Sequence, residues 1–332
     1  MRSTHNWLEA TVIRTHNVTP TVREFEIQPV HRVGRAAACW QAGAHLQMQV
    51  QVNGKSQIRS YSLVGLPDGQ CFRIAVKRMD DGRGGSRAMW QLAAGDRLQI
   101  SEPQNHFQLN LSAPHYLLVA GGIGVTPLVM MAQQLQAYAA RSGATLRMLY
   151  GARTADELAF APRLRETLGD SLQTFVAAQG EVMDLASEIA ALPAGTQLYT
   201  CGPVPLLEAI RKAWSQAGRP LADLRFETFG SSGRFAAQAF RVQVPRHQID
   251  IMVPADTTLL DALESAGVEA LADCRRGECG LCALDVLSLD GEMDHRDVFL
   301  SEAEKQQSTR ICACVSRVVG AVVLDSAYRP EG

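Results

Sequence analysis

Apolar and polar residues alternate along the first part of the chain. Every second residue from Leu46 to Val52 is apolar, and Asn53-Gly54 follows, a dipeptide typical of a tight turn between antiparallel strands. Shorter alternating runs lie at 11–13, 72–76 and 98–100. A short helical pattern occurs near 86–92. Together these patterns predict a small antiparallel β-barrel over residues 1–112.

From residue 113 the pattern changes to apolar strands that alternate with amphipathic helices. The predicted strands are 115–120, 145–150, 172–178, 196–200 and 223–229. One predicted helix ends near residue 140, and three others span 156–168, 184–191 and 204–217. Such alternation predicts an α/β domain with a parallel sheet over residues 113–230.

The last hundred residues return to short strands. Gly230-Ser-Ser-Gly233 begins a predicted linker, residues 231–239, and an α+β domain is predicted over 240–332. Its predicted elements are a hairpin of 240–244 and 249–253, a helix at 257–266, and strands at 284–287 and 318–324. The chain is thus expected to be multidomain.

Composition narrows the class of protein. The 332 residues are 46% apolar and 20% charged with a net charge of -2, which is typical of globular proteins and argues against nucleic acid or an anionic membrane as partner. The N-terminus lacks the apolar core of a signal peptide, and no apolar run is long enough to span a bilayer. We therefore expect a cytoplasmic protein in which the eight cysteines form no disulfides.

Three of these cysteines stand in the segment Cys274-Arg-Arg-Gly-Glu-Cys279-Gly-Leu-Cys282. The spacing C-x4-C-x2-C, with a further cysteine about thirty residues on, is that of a plant-type two-iron two-sulfur site. Gly277 and Gly280 allow the loop to adopt positive φ and bring backbone N–H groups close to sulfur. The alternatives are a zinc site, which more often uses two C-x2-C pairs or histidine, and a set of buried thiols.

Two candidates exist for the fourth ligand, Cys312 and Cys314. Spacing from Cys282 slightly favours Cys312. A resemblance in domain order favours Cys314, because relatives with the same order of domains carry the ligand directly before a short Ser-Arg segment, and Cys314-Val-Ser-Arg fits that pattern.

Two glycine-rich stretches are candidates for phosphate binding. Gly82-Arg-Gly-Gly-Ser86 offers backbone N–H groups, with Arg59 or Arg83 to pair the charge, although an ordinary surface loop explains the same composition. Gly121-Gly-Ile-Gly-Val-Thr-Pro127 follows a predicted strand but departs from G-x-G-x-x-G, because proline occupies the last position. Alone it is equally typical of a structural turn.

The stretches resemble a known family when they are taken in order. Arg59-Ser-Tyr-Ser62 with the 82–86 loop resembles the flavin site of the ferredoxin-reductase superfamily, in the branch that uses FMN. The 121–127 loop, Tyr150-x-x-Arg153-x-x-x-Glu157-x-Ala-Phe160 and Tyr199-Thr-Cys-Gly-Pro203 resemble its pyridine-nucleotide half. With the cysteine loop last, the order resembles the phthalate dioxygenase reductase and vanillate O-demethylase reductase type.

The resemblance implies the following site residues. It implies that Tyr61 and Ser62 lie against the flavin ring and that Cys201 lies beside the nicotinamide, the three taken as catalytic. The other implied cofactor contacts are Arg59, Ser60, Ala75, Val76, Lys77, Arg83, Gly84, Gly85, Ser86, Gly121, Gly122, Thr126, Tyr150, Arg153, Gly202, Pro203 and Phe229. The implied cluster ligands are Cys274, Cys279, Cys282 and Cys314. For Cys201 and Phe229 the alternative is an ordinary core residue.

The same resemblance implies a function. It implies a reductase that passes electrons from NADH through FMN and a 2Fe-2S cluster to a terminal Rieske-type non-haem iron oxygenase, the reductase itself being a monomer when free. Two alternatives stay open: a flavin-free iron–sulfur carrier or redox-sensing module, and a reductase that serves a haem oxygenase.

Overall fold

The computed structural model describes residues 7–30, 40–67, 71–80, 84–229 and 233–325. The chain forms two compact units, Met1–Glu227 and Thr228–Gly332. The predicted fold class is confirmed, with an antiparallel sheet and a parallel sheet in the first unit and a mixed sheet in the second. The predicted boundaries at 112/113 and around the linker 231–239 stay predictions.

The antiparallel sheet has six strands in the order β4-β3-β6-β1-β2-β5. They are β1 Leu8–Thr19, β2 Val22–Pro29, β3 His45–Val52, β4 Lys55–Ser62, β5 Phe72–Lys77 and β6 Arg97–Ile100, with helix α1 Gly85–Gln91 before β6. An antiparallel bridge between Leu63 and Ile74 joins the two ends of this order, so the sheet closes into a barrel. Asn53 and Gly54 have φ of 51° and 75°, as the predicted turn requires.

The parallel sheet has the order β11-β10-β7-β8-β9. Its strands are β7 His115–Gly121, β8 Thr145–Ala152, β9 Leu172–Val176, β10 Thr196–Cys201 and β11 Leu224–Glu227, and its helices are α2 Val125–Ser142, α3 Ala161–Leu168, α4 Leu185–Ala190 and α5 Val204–Gln216. The helix predicted at 156–168 begins only at Ala161, because Phe160 takes a left-handed φ of 62° that no helix interior accepts. The carboxyl ends of β7, β8 and β10 share one edge, where ligands bind in such sheets.

The second unit contains a five-stranded sheet of order β13-β12-β16-β14-β15. Its elements are β12 Phe240–Val244, β13 Ile249–Val253, α6 Leu259–Ser265, β14 Ala283–Asp294, α7 Glu302–Gln307, β15 Arg310–Cys312 and β16 Arg317–Asp325. Leu259, Leu260 and Leu263 of α6 are buried in the core of the sheet. The cysteine loop lies between α6 and β14, and the fourth-ligand segment lies between β15 and β16.

None of the helices in the described part of the chain combines the length and apolarity needed to cross a membrane.

Candidate functional site

The cysteine loop is folded around the sulfur of Cys274. Its Sγ accepts hydrogen bonds from the backbone N–H groups of Arg276, Glu278 and Cys279, each at 3.4 Å. Gly277 and Gly280 have φ of 77° and 74°, which only glycine adopts without strain. Such N–H to sulfur contacts stabilise a thiolate ligand and tune an iron–sulfur cluster.

The four predicted cluster ligands form two pairs. The side chains of Cys274 and Cys279 are hydrogen-bonded to each other, and the sulfur atoms of Cys282 and Cys314 lie 3.1 Å apart. Two pairs suit two irons with two thiolates each, whereas one tetrahedral zinc needs its ligands together. The residues present therefore fit the cluster.

Cys312 and Cys314 have different surroundings. Cys314 accepts a hydrogen bond from the Gly277 backbone, within the cysteine loop. Cys312 is fully buried, and its electrostatic neighbours are Cys282, Cys314 and the carboxylate of Asp297. Hydrogen bonds with Cys312 and then with Cys314 lower the pKa of Cys282, and the same hydrogen bonds raise the pKa of Cys312 and Cys314.

The predicted phosphate contacts of the flavin lie where β4 approaches the start of α1. A Cβ added to Gly85 would lie 2.7 Å from Nε of Arg59, so the bare backbone lets the guanidinium approach. Gly84 begins α1 in a left-handed conformation, with φ of 84°. Ser86 Oγ accepts the N–H of Met79 at 3.0 Å. Arg83 lies outside the described residues.

Two neighbouring β4 side chains bear on the fit of a flavin. The Oγ of Ser62 is buried without a hydrogen-bond partner among the described residues, which a polar group of a flavin would satisfy. Burial raises the pKa of Tyr61 to about 12 although Arg59 opposes it, so the phenol is neutral and suited to stacking. Ser60 is half-buried, whereas Ala75 and Val76 are buried on β5. These residues fit a flavin with a phosphate near Arg59.

In the parallel sheet, the glycine-rich loop packs directly on the Cys201–Pro203 turn. A Cβ on Gly124 would lie 2.3 Å from the carbonyl oxygen of Cys201, and one on Gly121 would lie 2.7 Å from Cδ of Pro203. The two turns therefore meet backbone to backbone. Sequence reasoning missed Gly124, although its place in the Gly-Gly-Ile-Gly run was a signal.

The exposure of the predicted nucleotide contacts differs. Cys201 and Tyr150 are fully buried, and Tyr150 donates its hydroxyl to the Glu157 carbonyl at 3.3 Å. Thr126 is also buried and donates to the Ile123 carbonyl at 3.0 Å. Gly122, Gly202 and Arg153 are accessible, whereas Phe229 belongs to the second compact unit. The roles implied for Cys201 and Tyr150 stay predictions.

The carboxylate of Glu157, part of the Tyr150–Phe160 motif but not among the predicted site residues, lies beside Arg153. Glu157 bonds Nη2 of Arg153 at 2.9 Å and Nζ of Lys77 at 2.9 Å. Burial alone would raise the pKa of Glu157, but hydrogen bonds from Arg153 and Lys77 hold it below its usual value. Glu157 is therefore ionised at neutral pH.

A cavity of about 720 Å³ lies apart from these residues. It is lined by 105–110 and 224–226 and contains none of the predicted site residues.

Three family models match consecutive parts of the chain. The oxidoreductase FAD-binding domain matches residues 9–109, and the N-terminal domain of dimethylamine monooxygenase subunit DmmA-like proteins matches 100–224. The 2Fe-2S iron-sulfur cluster binding domain matches 242–319.

Several proteins are similar over nearly their whole length. The heme-dependent oxidative N-demethylase beta subunit of Ectopseudomonas mendocina (strain ymp) is 36% identical over 96% of this chain and 98% of its own. The carnitine monooxygenase reductase subunit of Escherichia coli (strain K12) is 32% identical over 97% and 99%, and the phthalate 4,5-dioxygenase oxygenase reductase subunit of Pseudomonas putida is 34% identical over 88% and 89%. Among solved structures, phthalate dioxygenase reductase superposes with a TM-score of 0.78 at 30% identity over 97% and 98%.

Proposed function

The chain belongs to the phthalate dioxygenase reductase family of flavin and iron–sulfur oxidoreductases, and we propose that it is the NADH-dependent reductase component of an oxygenase system. It is an electron-transfer oxidoreductase with a flavin domain, an NADH-binding domain and a 2Fe-2S domain. When bound, the nicotinamide supplies two electrons as hydride, the flavin accepts two and releases them singly, and the cluster takes one at a time.

The geometry of the cysteine loop carries this proposal. Three backbone N–H groups point at Cys274 Sγ, and Cys282 and Cys314 bring their sulfurs to 3.1 Å, in a unit separate from the flavin barrel. A reductase that delivers hydride directly has no use for such a loop. The loop therefore favours single-electron delivery to a protein acceptor.

We further propose that the flavin is FMN. The Gly84–Gly85 backbone beside Arg59 suits a terminal phosphate, and Tyr61 and Ser62 are proposed to lie against the ring. Heat release of the flavin followed by chromatography tests this, and recovery of FAD would contradict it.

The remaining proposed contacts lie at the edge of the parallel sheet. Gly121 and Gly122 approach the pyrophosphate, Arg153 the adenosine ribose, and the Cys201–Pro203 turn the nicotinamide. The close fit between Gly124 and the Cys201 carbonyl supports one site built from both turns. The proposed cluster ligands are Cys274, Cys279, Cys282 and Cys314.

The proposed electron acceptor is a Rieske-type oxygenase. A haem-dependent N-demethylase is the second candidate, favoured by the 36% identity to a subunit of such an enzyme and by the match to a dimethylamine monooxygenase subunit family. Titration of the reduced protein with a purified oxygenase of each kind distinguishes them by the spectrum of the acceptor. A monomeric free protein in the cytoplasm is also part of the proposal.

The test of the function uses the full chain. Anaerobic NADH should bleach both flavin and cluster absorbance, and the protein should reduce ferricyanide and cytochrome c. A variant that loses its cluster should keep most of its ferricyanide reduction, which needs only the flavin, and lose most of its cytochrome c reduction. Absence of flavin bands would favour an iron–sulfur carrier, and undiminished cytochrome c reduction without the cluster would refute the proposed electron path.

A further inference from the structure

Glu157 lies between two cations from different sheets of the first unit. Lys77 ends β5 of the barrel, and its Nζ lies 2.9 Å from Glu157 Oε1. Arg153 directly follows β8 and holds the same carboxylate with two nitrogens, Nη2 at 2.9 Å and Nε at 3.3 Å. The side chains of Lys77 and Glu157 are only 13% and 12% exposed, whereas that of Arg153 is 77% exposed.

Arg153 lies where the ribose of the proposed nucleotide would bind. β8 pairs parallel with β7, and Gly121 lies opposite Gly151, so Arg153 emerges at the same sheet edge as the glycine-rich loop. In doubly wound sheets a carboxylate near this point favours NAD by binding the ribose 2′-hydroxyl, and an arginine accommodates the 2′-phosphate of NADP. An unpaired arginine here would therefore favour NADPH.

Arg153 is not available to bind a 2′-phosphate, because its guanidinium is held by Glu157. Its bidentate partner is ionised, and the hydrogen bonds that Arg153 donates to Glu157 raise the pKa of Arg153 itself. To bind a 2′-phosphate, the guanidinium must leave a mostly buried carboxylate, which then faces Lys77 alone and repels the phosphate. Asp156 is exposed on the same turn, but its screened charge acts weakly at a distance.

We propose that Glu157, rather than Asp156, sets a preference for NADH over NADPH by keeping Arg153 occupied. This inference rests on the proposed use of NADH. It assigns to Glu157 a positioning role, because the carboxylate acts through Arg153 and not on the reacting atoms.

The experiment measures binding as well as turnover. Isothermal calorimetry compares 2′,5′-ADP, which carries the 2′-phosphate, with 5′-ADP, which lacks it, on the full protein with its cofactors bound. The variants are Glu157→Gln, the charge-matched neighbour Asp156→Asn, and the double variant Arg153→Leu/Glu157→Gln. Flavin content and melting temperature verify that each variant is folded.

Glu157→Gln should tighten 2′,5′-ADP about tenfold, the effect of one added charge-assisted contact, and leave 5′-ADP within about twofold. Asp156→Asn should change 2′,5′-ADP by less than about threefold, as expected for an exposed charge. The double variant should lose the gain. The ratio of kcat/KM for NADPH to that for NADH should rise in parallel.

Equal tightening of both ligands by Glu157→Gln, or equal effects of the two single variants, would overturn the inference. If Glu157→Gln does not fold, Glu157→Ser removes the same carboxylate with a smaller side chain, and no gain for 2′,5′-ADP there overturns it as well. The proposed function fails separately, if the unmodified protein is not reduced by NADH.

Discussion

Replacing Asp294 by asparagine should selectively destabilise the iron–sulfur unit. Asp294 is 1% exposed and accepts hydrogen bonds from Arg296 at 2.8 and 2.6 Å and from the Arg234 backbone at 2.7 Å. Arg296 also donates to the carbonyl of Phe235. The aspartate therefore neutralises a buried guanidinium and fixes the chain where it enters the unit.

The size of the effect follows from burial. Removing one partner of a buried ion pair costs about 3–5 kcal/mol, and asparagine keeps one acceptor, so we expect about 3 kcal/mol. For a unit of this size, that lowers the melting temperature by roughly 12 °C. The first compact unit, Met1–Glu227, takes no part in these contacts, so its melting temperature should not change.

The assay is thermal denaturation of the full protein, followed by cluster absorbance and separately by flavin fluorescence. The control is Asp285→Asn on the same strand, where the carboxylate is 70% exposed and 3.6 Å from Arg310. This control should cost less than about 1 kcal/mol. The reasoning would be refuted if the free energy of unfolding of the iron–sulfur unit in Asp294→Asn lay within about 1 kcal/mol of that of the unmodified protein. It would also be refuted if Asp294→Asn and the control destabilised the unit equally.

Three further outcomes are expected. Cys314→Ser should abolish or strongly perturb the cluster, and Cys312→Ser should leave iron content and visible spectrum near normal; the reverse would reassign the ligand. Gly124→Ala should weaken NADH binding at least about tenfold with flavin retained, since its Cβ meets the Cys201 carbonyl at 2.3 Å; unchanged affinity in a stopped-flow titration would contradict this. The pKa of Glu157 is depressed on folding, so its contribution to stability is present above the ordinary glutamate pKa and is lost as pH falls through the folded value. Glu157→Gln should flatten that acid limb of the denaturation curve, and an unchanged limb would count against the ion pairs.

Local patterns predicted most of the architecture. Strict alternation and Asn53-Gly54 specified the β3–β4 hairpin, because strand period and turn chemistry are both local properties. β2 and α7 were missed. β2 lacks strict alternation, and its burial depends on residues elsewhere in the barrel. α7 has a local signal in its Ser301–Glu304 capping box, but its six residues are too short to show an apolar stripe.

The same contrast between local and long-range features holds for the site residues. Cysteine spacing indicated the cluster loop, because ligands within nine residues leave a mark in the sequence. The pairing of Glu157 with Lys77, 80 residues apart in the chain, left none. No sequence pattern indicated that Arg317 donates hydrogen bonds to the carbonyls of Gln238, Pro254 and Thr257.

The hydrogen bonds of Arg296 and Arg317 have a practical consequence for modular engineering. They attach the carbonyls of Phe235 and Gln238 to the iron–sulfur unit, and a Cβ on Gly233 would lie 2.1 Å from Asp294 Oδ2. A designer who transplants this electron carrier onto another flavoprotein should place the junction before Thr228. A graft that starts at Phe240 would discard Phe235 and Gln238. Arg296 and Arg317 would then each lose one backbone carbonyl that accepts a hydrogen bond from the guanidinium.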